Sequence, residues 1–447
     1  MRINILSFVC FLSLTSPLFG QDNMTLEKAI SIGIEENFNI KIADEQIRIA
    51  EVSNTWGRAG RGVIVDLNGT LSMSYVDDNN PASFISMPFL SGSLGGTIDA
   101  NWTVLSGGRV AVAKDQLDLA VHQEELLKSV DSQTLIRDII QTYYDVLFQQ
   151  ERQLVLEETL SLSKERLAYE EVRKEYGSSN SFNLIQFEDA VLSDSTNYIT
   201  QAQLVVVSKK NLNTLLTLPF DMEYEFPERL QVALQELDEV ALEEMLIEDS
   251  PTLRTLYLAS DLQMLNRRLT ESMRKPVLTL TASVGFAENY FQFLEGDATR
   301  GITTDGIFSN RLNVGVGANF NWNLIDGGVS RADIENAKIQ EGISDLDILD
   351  ATVQLKNQLA TLILQYNNEK ELLTISSERL AVTRRSLEMA EERFKLAQIN
   401  SVDYRAVQSQ YISNAFALVN SMFNLAITKS EIDWLIGIYV DRENEVE

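Results

Sequence analysis

Few residues in this chain could do chemistry, and their spacing forms no reactive set. His122 is the only histidine and stands beside Gln123, Glu124 and Glu125. With no second imidazole or thiol nearby, no cluster has metal-ligand spacing. Any serine–histidine–aspartate relay would have His122 alone to draw on. Cys10 is the only cysteine and lies in an apolar run, residues 3–14. Once that run is removed, disulfide, thiolate and cysteine–metal chemistry are excluded. Gly107-Gly108 and Gly327-Gly328 lack the phosphate-loop pattern and read as turns. The acidic pairs Glu35-Glu36, Glu170-Glu171 and Glu391-Glu392 read as helix surface. No catalytic site, cofactor or metal is expected.

The elements therefore carry the functional information. Arg2, the apolar run and a small residue at Gly20 make a secretory signal peptide over 1–20, with cleavage expected before Gln21. A lipoprotein anchor would need its cysteine at the end of that run. Acidic residues number 65 against 37 basic ones, a net charge of −28, which excludes nucleic acid as a partner. No later stretch reaches the roughly 18 apolar residues of a membrane helix. An exported chain of this kind is periplasmic, secreted or a β-barrel.

Four segments alternate apolar and polar residues with a period of two. They centre on Val65–Leu67–Leu71–Met73–Tyr75, Leu94–Ile98–Ala100–Trp102–Val104, Leu278–Leu280–Ala282–Val284–Phe286, and Leu312–Val314–Val316–Ala318–Phe320–Trp322–Leu324. A soluble sandwich also alternates. Lengths near ten residues and polar faces of Asn, Thr and Ser favour a membrane barrel with a wet lumen. Trp102 and Trp322 fit an interfacial aromatic girdle; packing at a domain junction is the other reading.

Everything else reads as helix. Residues 110–176 contain neither proline nor glycine, and a helix of that length extends about 100 Å. In the second half Leu355, Leu359, Leu362, Tyr366, Leu373, Leu380, Leu387, Ala390, Phe394 and Ala397 form one heptad seam. The halves are a repeat. Trp102 matches Trp322, Gly107-Gly108 matches Gly327-Gly328, and Asn180-Ser181 matches Asn400-Ser401, each 220 residues apart. Upstream, residues 36–40 match 249–253 at an offset of 213. The organisation is a signal peptide (1–20), a first repeat (21–237), a second repeat (238–440) and an acidic tail (441–447). Each repeat reads helix, helix, strand, loop, strand, glycine turn, very long helix, tip, returning helix. Loops are expected over 76–93 and 291–311. Four strands cannot close on themselves, and an open sheet edge in lipid leaves backbone groups unpaired at several kcal/mol each. Several copies must share one barrel.

In this order and duplication the chain resembles the outer-membrane efflux protein (TolC) family. The likeness rests on the helix from Leu26 to Asn37, the two Trp-to-Gly-Gly turns and the two tips. It implies an α+β membrane protein: a homotrimer whose twelve-stranded β-barrel is continued by a long α-helical coiled-coil barrel. It implies a non-enzymatic channel in the Gram-negative outer membrane with a large periplasmic part. Its implied partners are outer-membrane lipid, a periplasmic adaptor protein and an inner-membrane pump or secretion transporter, serving efflux or type I secretion. By resemblance, Asp403 and Asn183, at equivalent positions of the two repeats, are the pore-constriction candidates. Ala406 stands where a second acidic residue would complete a double ring. Asp403 as a mere helix cap is the competing reading. Leu184, Ile185, Leu396 and Ala397 are candidate adaptor contacts. A soluble periplasmic coiled-coil scaffold without a pore is the alternative, and a secreted enzyme would need the titratable cluster the sequence lacks.

Overall fold

The computed structural model describes residues 23–77, 87–297 and 301–439. The signal peptide, Cys10 and the acidic tail lie outside the described residues. The elements in chain order are α1 (Leu26–Glu36), α2 (Phe38–Ser53), β1 (Val63–Val76), β2 (Phe89–Leu105), α3 (Arg109–Glu175) and α4 (Ser181–Leu215). The second half runs α5 (Glu239–Asp249), α6 (Pro251–Ser272), β3 (Val277–Phe293), β4 (Ile307–Asn321), α7 (Val329–Lys395) and α8 (Ser401–Leu435). The bounds of α3 and α4 recur in α7 and α8 at the 220-residue offset, and those of α1 recur in α5 at 213. Among the described residues no helix is long and apolar enough to cross a membrane.

Local chemistry explains the boundaries. The long helices start where paired glycines turn the chain. Gly107 and Gly108 have φ of 64° and 93°, Gly327 and Gly328 of 68° and 96°, the left-handed region that glycine adopts at no steric cost. The residue before each pair caps the helix. Ser106 Oγ accepts from the Val110 amide at 3.3 Å, and Asp326 accepts from the Gly328 and Ser330 amides at 3.0 and 2.9 Å. The returning helices are capped by Asn180 and Asn400, which accept from the Asn183 and Asp403 amides.

The chain divides into two compact units, each drawing on both repeats. One holds residues 42–128 and 251–354, and with them all four strands. These form one antiparallel sheet in the order β1-β2-β3-β4, leaving β1 and β4 as edges. The strands run 14 to 17 residues, longer than the alternation alone indicates. The connections are correspondingly shorter than 76–93 and 291–311, because pairing continues through Val76↔Phe89 and Phe291↔Ile307. At the other end β4 stops at Asn321, so Trp322 and Leu324 fall just beyond it. One face presents Leu67, Leu71, Met73, Ile98, Val314 and Val316, all at least half exposed. The register puts the serines, threonines and asparagines on the other.

Of the described residues, the second unit comprises 23–41, 129–250 and 355–439. Its main core joins Ile30, Ile136, Ile139, Tyr143, Leu212 and Leu216, with Val419 and Tyr439 from the second repeat. Tyr143 is fully buried, and its single hydroxyl proton is shared between the Met24 carbonyl at 3.1 Å and Glu228 at 3.2 Å. The heptad seam of α7 is buried at Leu355, Leu359, Tyr366, Leu387, Ala390 and Phe394. Ile363 takes the place assigned to Leu362, because the stripe drifts around a helix of 3.6 residues per turn. Leu373 and Leu380 are half-buried, and Ala397 lies past the helix end.

Candidate functional site

The two helix tips concentrate the unusual side chains. At each tip the chain passes from a long helix to its returning partner through a left-handed residue: Gly177 (φ 70°) in the first, Ala397 (φ 57°) in the second. Behind the turn Phe187, Phe394 and Tyr404 pack as an aromatic wedge, with ring centroids 5.4 Å apart for Phe187–Phe394 and for Phe394–Tyr404. Tyr404 is fully buried, with the Arg166 guanidinium 5.6 Å over its ring.

Next to this wedge the buried seam turns polar. On α3 the buried positions Thr159, Ser163, Arg166 and Glu170 follow one helix face. Asp194 on α4 is 2% exposed and receives Arg405 of α8 in a bidentate pair, both bonds 2.6 Å. Ser163 donates to the same carboxylate at 2.6 Å, and Gln408 joins Ser163 at 3.1 Å and Arg405 at 2.9 Å. Such a network is stable in low dielectric only when every member is satisfied, and here the four side chains satisfy each other. A second link joins Arg166 to Glu391 of α7. Burial works to raise the Glu391 carboxyl, but hydrogen bonds from Lys395 and Arg166 outweigh it and hold it below the ordinary carboxylate range. A third runs from Arg384 to Tyr411 at 3.3 Å and from Tyr411 to Glu158 at 3.1 Å. Burial raises the Tyr411 hydroxyl.

Asp403 is exposed, in the first turn of α8, where its charge complements the helix dipole. The capping side chain is Asn400, at 2.8 Å from the Asp403 amide. Asp403 is therefore not the cap, and its carboxylate is left facing outward. Asn183 differs: it is half-buried, and its side-chain oxygen accepts from Ser401 at 3.2 Å. Leu184 is half-buried, whereas Ile185, Leu396 and Ala397 are exposed. Trp102 and Trp322 are 43% and 51% exposed and make equivalent bonds, to the Arg61 carbonyl at 3.2 Å and the Arg274 carbonyl at 3.1 Å.

Two expectations need correction. Glu170 is not helix surface: it is fully buried, paired with Arg173 at 2.8 Å and accepting from Ser179. Glu391 is half-buried in its pair with Arg166. The Asp194–Arg405 network went unseen in the sequence. Its signal was present, since Phe187, Ala190, Asp194 and Gln201 share one helical stripe. A carboxylate in a core position demands a cationic partner. His122 sits on the surface, 2.9 Å from Glu125. Among the described residues no group of three or more His, Cys, Asp or Glu could hold a metal ion.

Comparison with known proteins bears on this architecture. Residues 242–437 match the family model described as "Outer membrane efflux protein". The chain is 22% identical over 418 residues to nodulation protein T of Rhizobium leguminosarum bv. trifolii, covering 91% of this chain and 81% of that one. Among solved structures it is similar to the outer-membrane channel OprN, with a TM-score of 0.70 at 15% identity over 92% of this chain and 89% of that one. It is similar also to the CmeC outer-membrane channel of Campylobacter jejuni, with a TM-score of 0.68 at 14% identity over 100% and 98%.

Proposed function

We propose that the chain is an outer membrane efflux protein, the family whose model matches residues 242–437, and that three copies assemble into one exit duct across the outer membrane. It is an outer-membrane efflux channel and not an enzyme. In the proposed assembly a twelve-stranded barrel passes through lipid, and the long helices form a tube in the periplasm. A periplasmic adaptor and an inner-membrane transporter feed it from the helix tips.

One observation supports the assembly: the protomer leaves open surfaces that copies of itself would cover. The four-stranded sheet has two unpaired edges, untenable in lipid unless β4 of one copy meets β1 of the next. Three copies give an even strand number. The helices point the same way. On α4, Ile185, Leu192, Ile199 and Val206 recur every seven residues at 58%, 69%, 66% and 50% exposure. On α7, Ile375, Val382 and Met389 do the same, and Leu396 continues the series, at 52%, 54%, 55% and 68%. Apolar residues at heptad spacing on a helix surface are the mark of a missing partner helix. The repeat units, 21–237 and 238–440, supply one stripe each.

At the tips we assign Asp403 to the constriction. Three copies of an outward carboxylate around a narrow opening attract cations and repel anions. Asn183, engaged with Ser401, braces the tips. Leu184, Ile185, Leu396 and Ala397 form the apolar rim on which an adaptor docks. Trp102 and Trp322 sit at the level of the lipid headgroups, with indole N–H groups already satisfied by the chain. Single-channel recording in planar bilayers tests this reading. Detergent-purified wild type should give a small cation-selective conductance blocked by a trivalent cation. In Asp403→Ala the conductance should rise and the block weaken at least tenfold. An unchanged block removes Asp403 from the constriction, and protein that is soluble without detergent and forms no pore overturns the duct.

A further inference from the structure

The polar face of the sheet does not stay polar. From the helix end outward its cross-strand rows read Ile64–Asn101–Thr281–Gly317, Asp66–Asp99–Ser283–Gly315, Asn68–Thr97–Gly285–Asn313, Thr70–Gly95–Ala287–Arg311 and Ser72–Ser93–Asn289–Ser309. The last two rows at the loop end break the pattern. Ser74–Ser91–Phe291–Ile307 is followed by Val76–Phe89–Phe293. Phe291 stacks on Phe89 with centroids 4.8 Å apart at 32°, and meets Phe293 edge-on at 4.8 Å and 84°. The alternating pattern of a lipid-facing strand does not require these residues, because the apolar face carries its own set at the same level, Met73, Tyr75, Leu90 and Phe308. Three phenylalanines in contact on the wet side of a strand pair bury nothing into a core, and a polar lumen gives no reason for them.

On the trimeric duct reading this face lines the lumen. We propose that Val76, Phe89, Phe291, Phe293 and Ile307 form an apolar aromatic collar at the outer end of the lumen, which binds lipophilic cations as they leave. Three copies place nine phenyl rings around the wall. The strand spacing of about 4.8 Å and a tilt near 40° set a backbone radius on the order of 12 Å for twelve strands, so rings pointing inward narrow the passage substantially. A phenyl face attracts cations through its quadrupole and apolar surface through dispersion and water release. The charge on this face is net acidic: Asp66 and Asp99 share one row further down the sheet, against a single Arg311 two rows nearer the collar. Asp99 is held in place by Thr97 at 2.9 Å and Asn68 at 3.2 Å. A solute combining positive charge with an aromatic body meets both features in sequence; a small hydrated ion gains nothing from the rings.

The test is block of single-channel current by tetraphenylphosphonium and by tetrapropylammonium, each added on the loop side. Wild type should be blocked by tetraphenylphosphonium at a concentration at least tenfold below that needed for tetrapropylammonium. The triple change F89S/F291S/F293S should erase that preference by a factor of ten or more, leaving tetrapropylammonium within twofold. A second variant, F89L/F291L/F293L, keeps the wall apolar for folding and should lose the aromatic preference while retaining open conductance. Equal block by the two cations in wild type, or an unchanged preference in both phenylalanine variants, overturns the collar while leaving the duct. Absence of any pore in wild type overturns the duct reading and the collar with it.

Discussion

Asp194 shows how a single buried carboxylate can determine the register of several helices. It is almost without solvent, and its partners come from α3 (Ser163) and α8 (Arg405). Asp194→Ala would leave the guanidinium facing a hole and Ser163 without its acceptor. Removing one member of a buried pair costs roughly 3–5 kcal/mol. Arg405 is 31% exposed at its side chain, so the lower end of that range is expected, read as a shift of the urea midpoint. Asp194→Leu combined with Arg405→Leu should recover part of the loss; a loss from Asp194→Ala below about 1 kcal/mol would show that the pair is dispensable. Asp326 gives a pH-dependent counterpart. Hydrogen bonds from the Ser330 hydroxyl and the Ser330 and Gly328 amides hold its carboxyl at about 2. The folded-state value lies below the unfolded value of about 4. Its contribution is therefore complete above pH 4 and lost as pH falls through about 2. Urea midpoints of wild type and Asp326→Ala should differ at pH 7 and converge between about pH 4 and 2; a constant difference would contradict the cap. Asp326 and Ser106 were visible in the sequence only as neighbours of glycine pairs. Asp194 was hidden because its partner in α8 lies 211 residues away, a separation no local pattern reports.

At the scale of elements, periodicity does most of the work. The 3.6-residue and two-residue patterns, the glycine pairs and the 220-residue offset place every long helix and every strand. What they miss are strand ends. Phe89, Phe291 and Phe293 fall on the face that alternation assigns to polar residues, so pattern reading ends the strands early although the ladder continues. The seam of α7 was legible as a heptad, but which of its residues face the protomer and which face another copy was not. Both stripes are apolar, and burial in the folded chain separates them. Leu192→Glu on α4 or Val382→Glu on α7 should therefore leave the protomer's helix content unchanged by circular dichroism. Either should shift the detergent-solubilised protein from trimer toward monomer in size-exclusion chromatography. A variant that keeps the trimer would show that the exposed stripe it carries is not an interface between copies.

For the whole molecule, the account rests on incompleteness. The sheet has two open edges and an exposed apolar face, and the other compact unit has two uncovered heptad stripes; the proposed assembly of copies would close each of these. The fold of the protomer was readable from the duplication, because two copies of a strand–long helix–tip unit leave few alternatives. The cargo was not, because a duct touches its substrate weakly and needs no convergent reactive groups. On the proposed reading, selectivity comes from rings of residues contributed by several copies, Asp403 in one and the phenylalanines in another, which no single chain displays as a site. A net charge of −28 is consistent with the proposed duct, whose water-filled passage would attract cations. The most direct test is native mass spectrometry of the protein released from detergent micelles. The account predicts a dominant species of three mature chains that dissociates only when the detergent is replaced by denaturant. A stable, monodisperse monomer, above all one soluble without detergent, would contradict it.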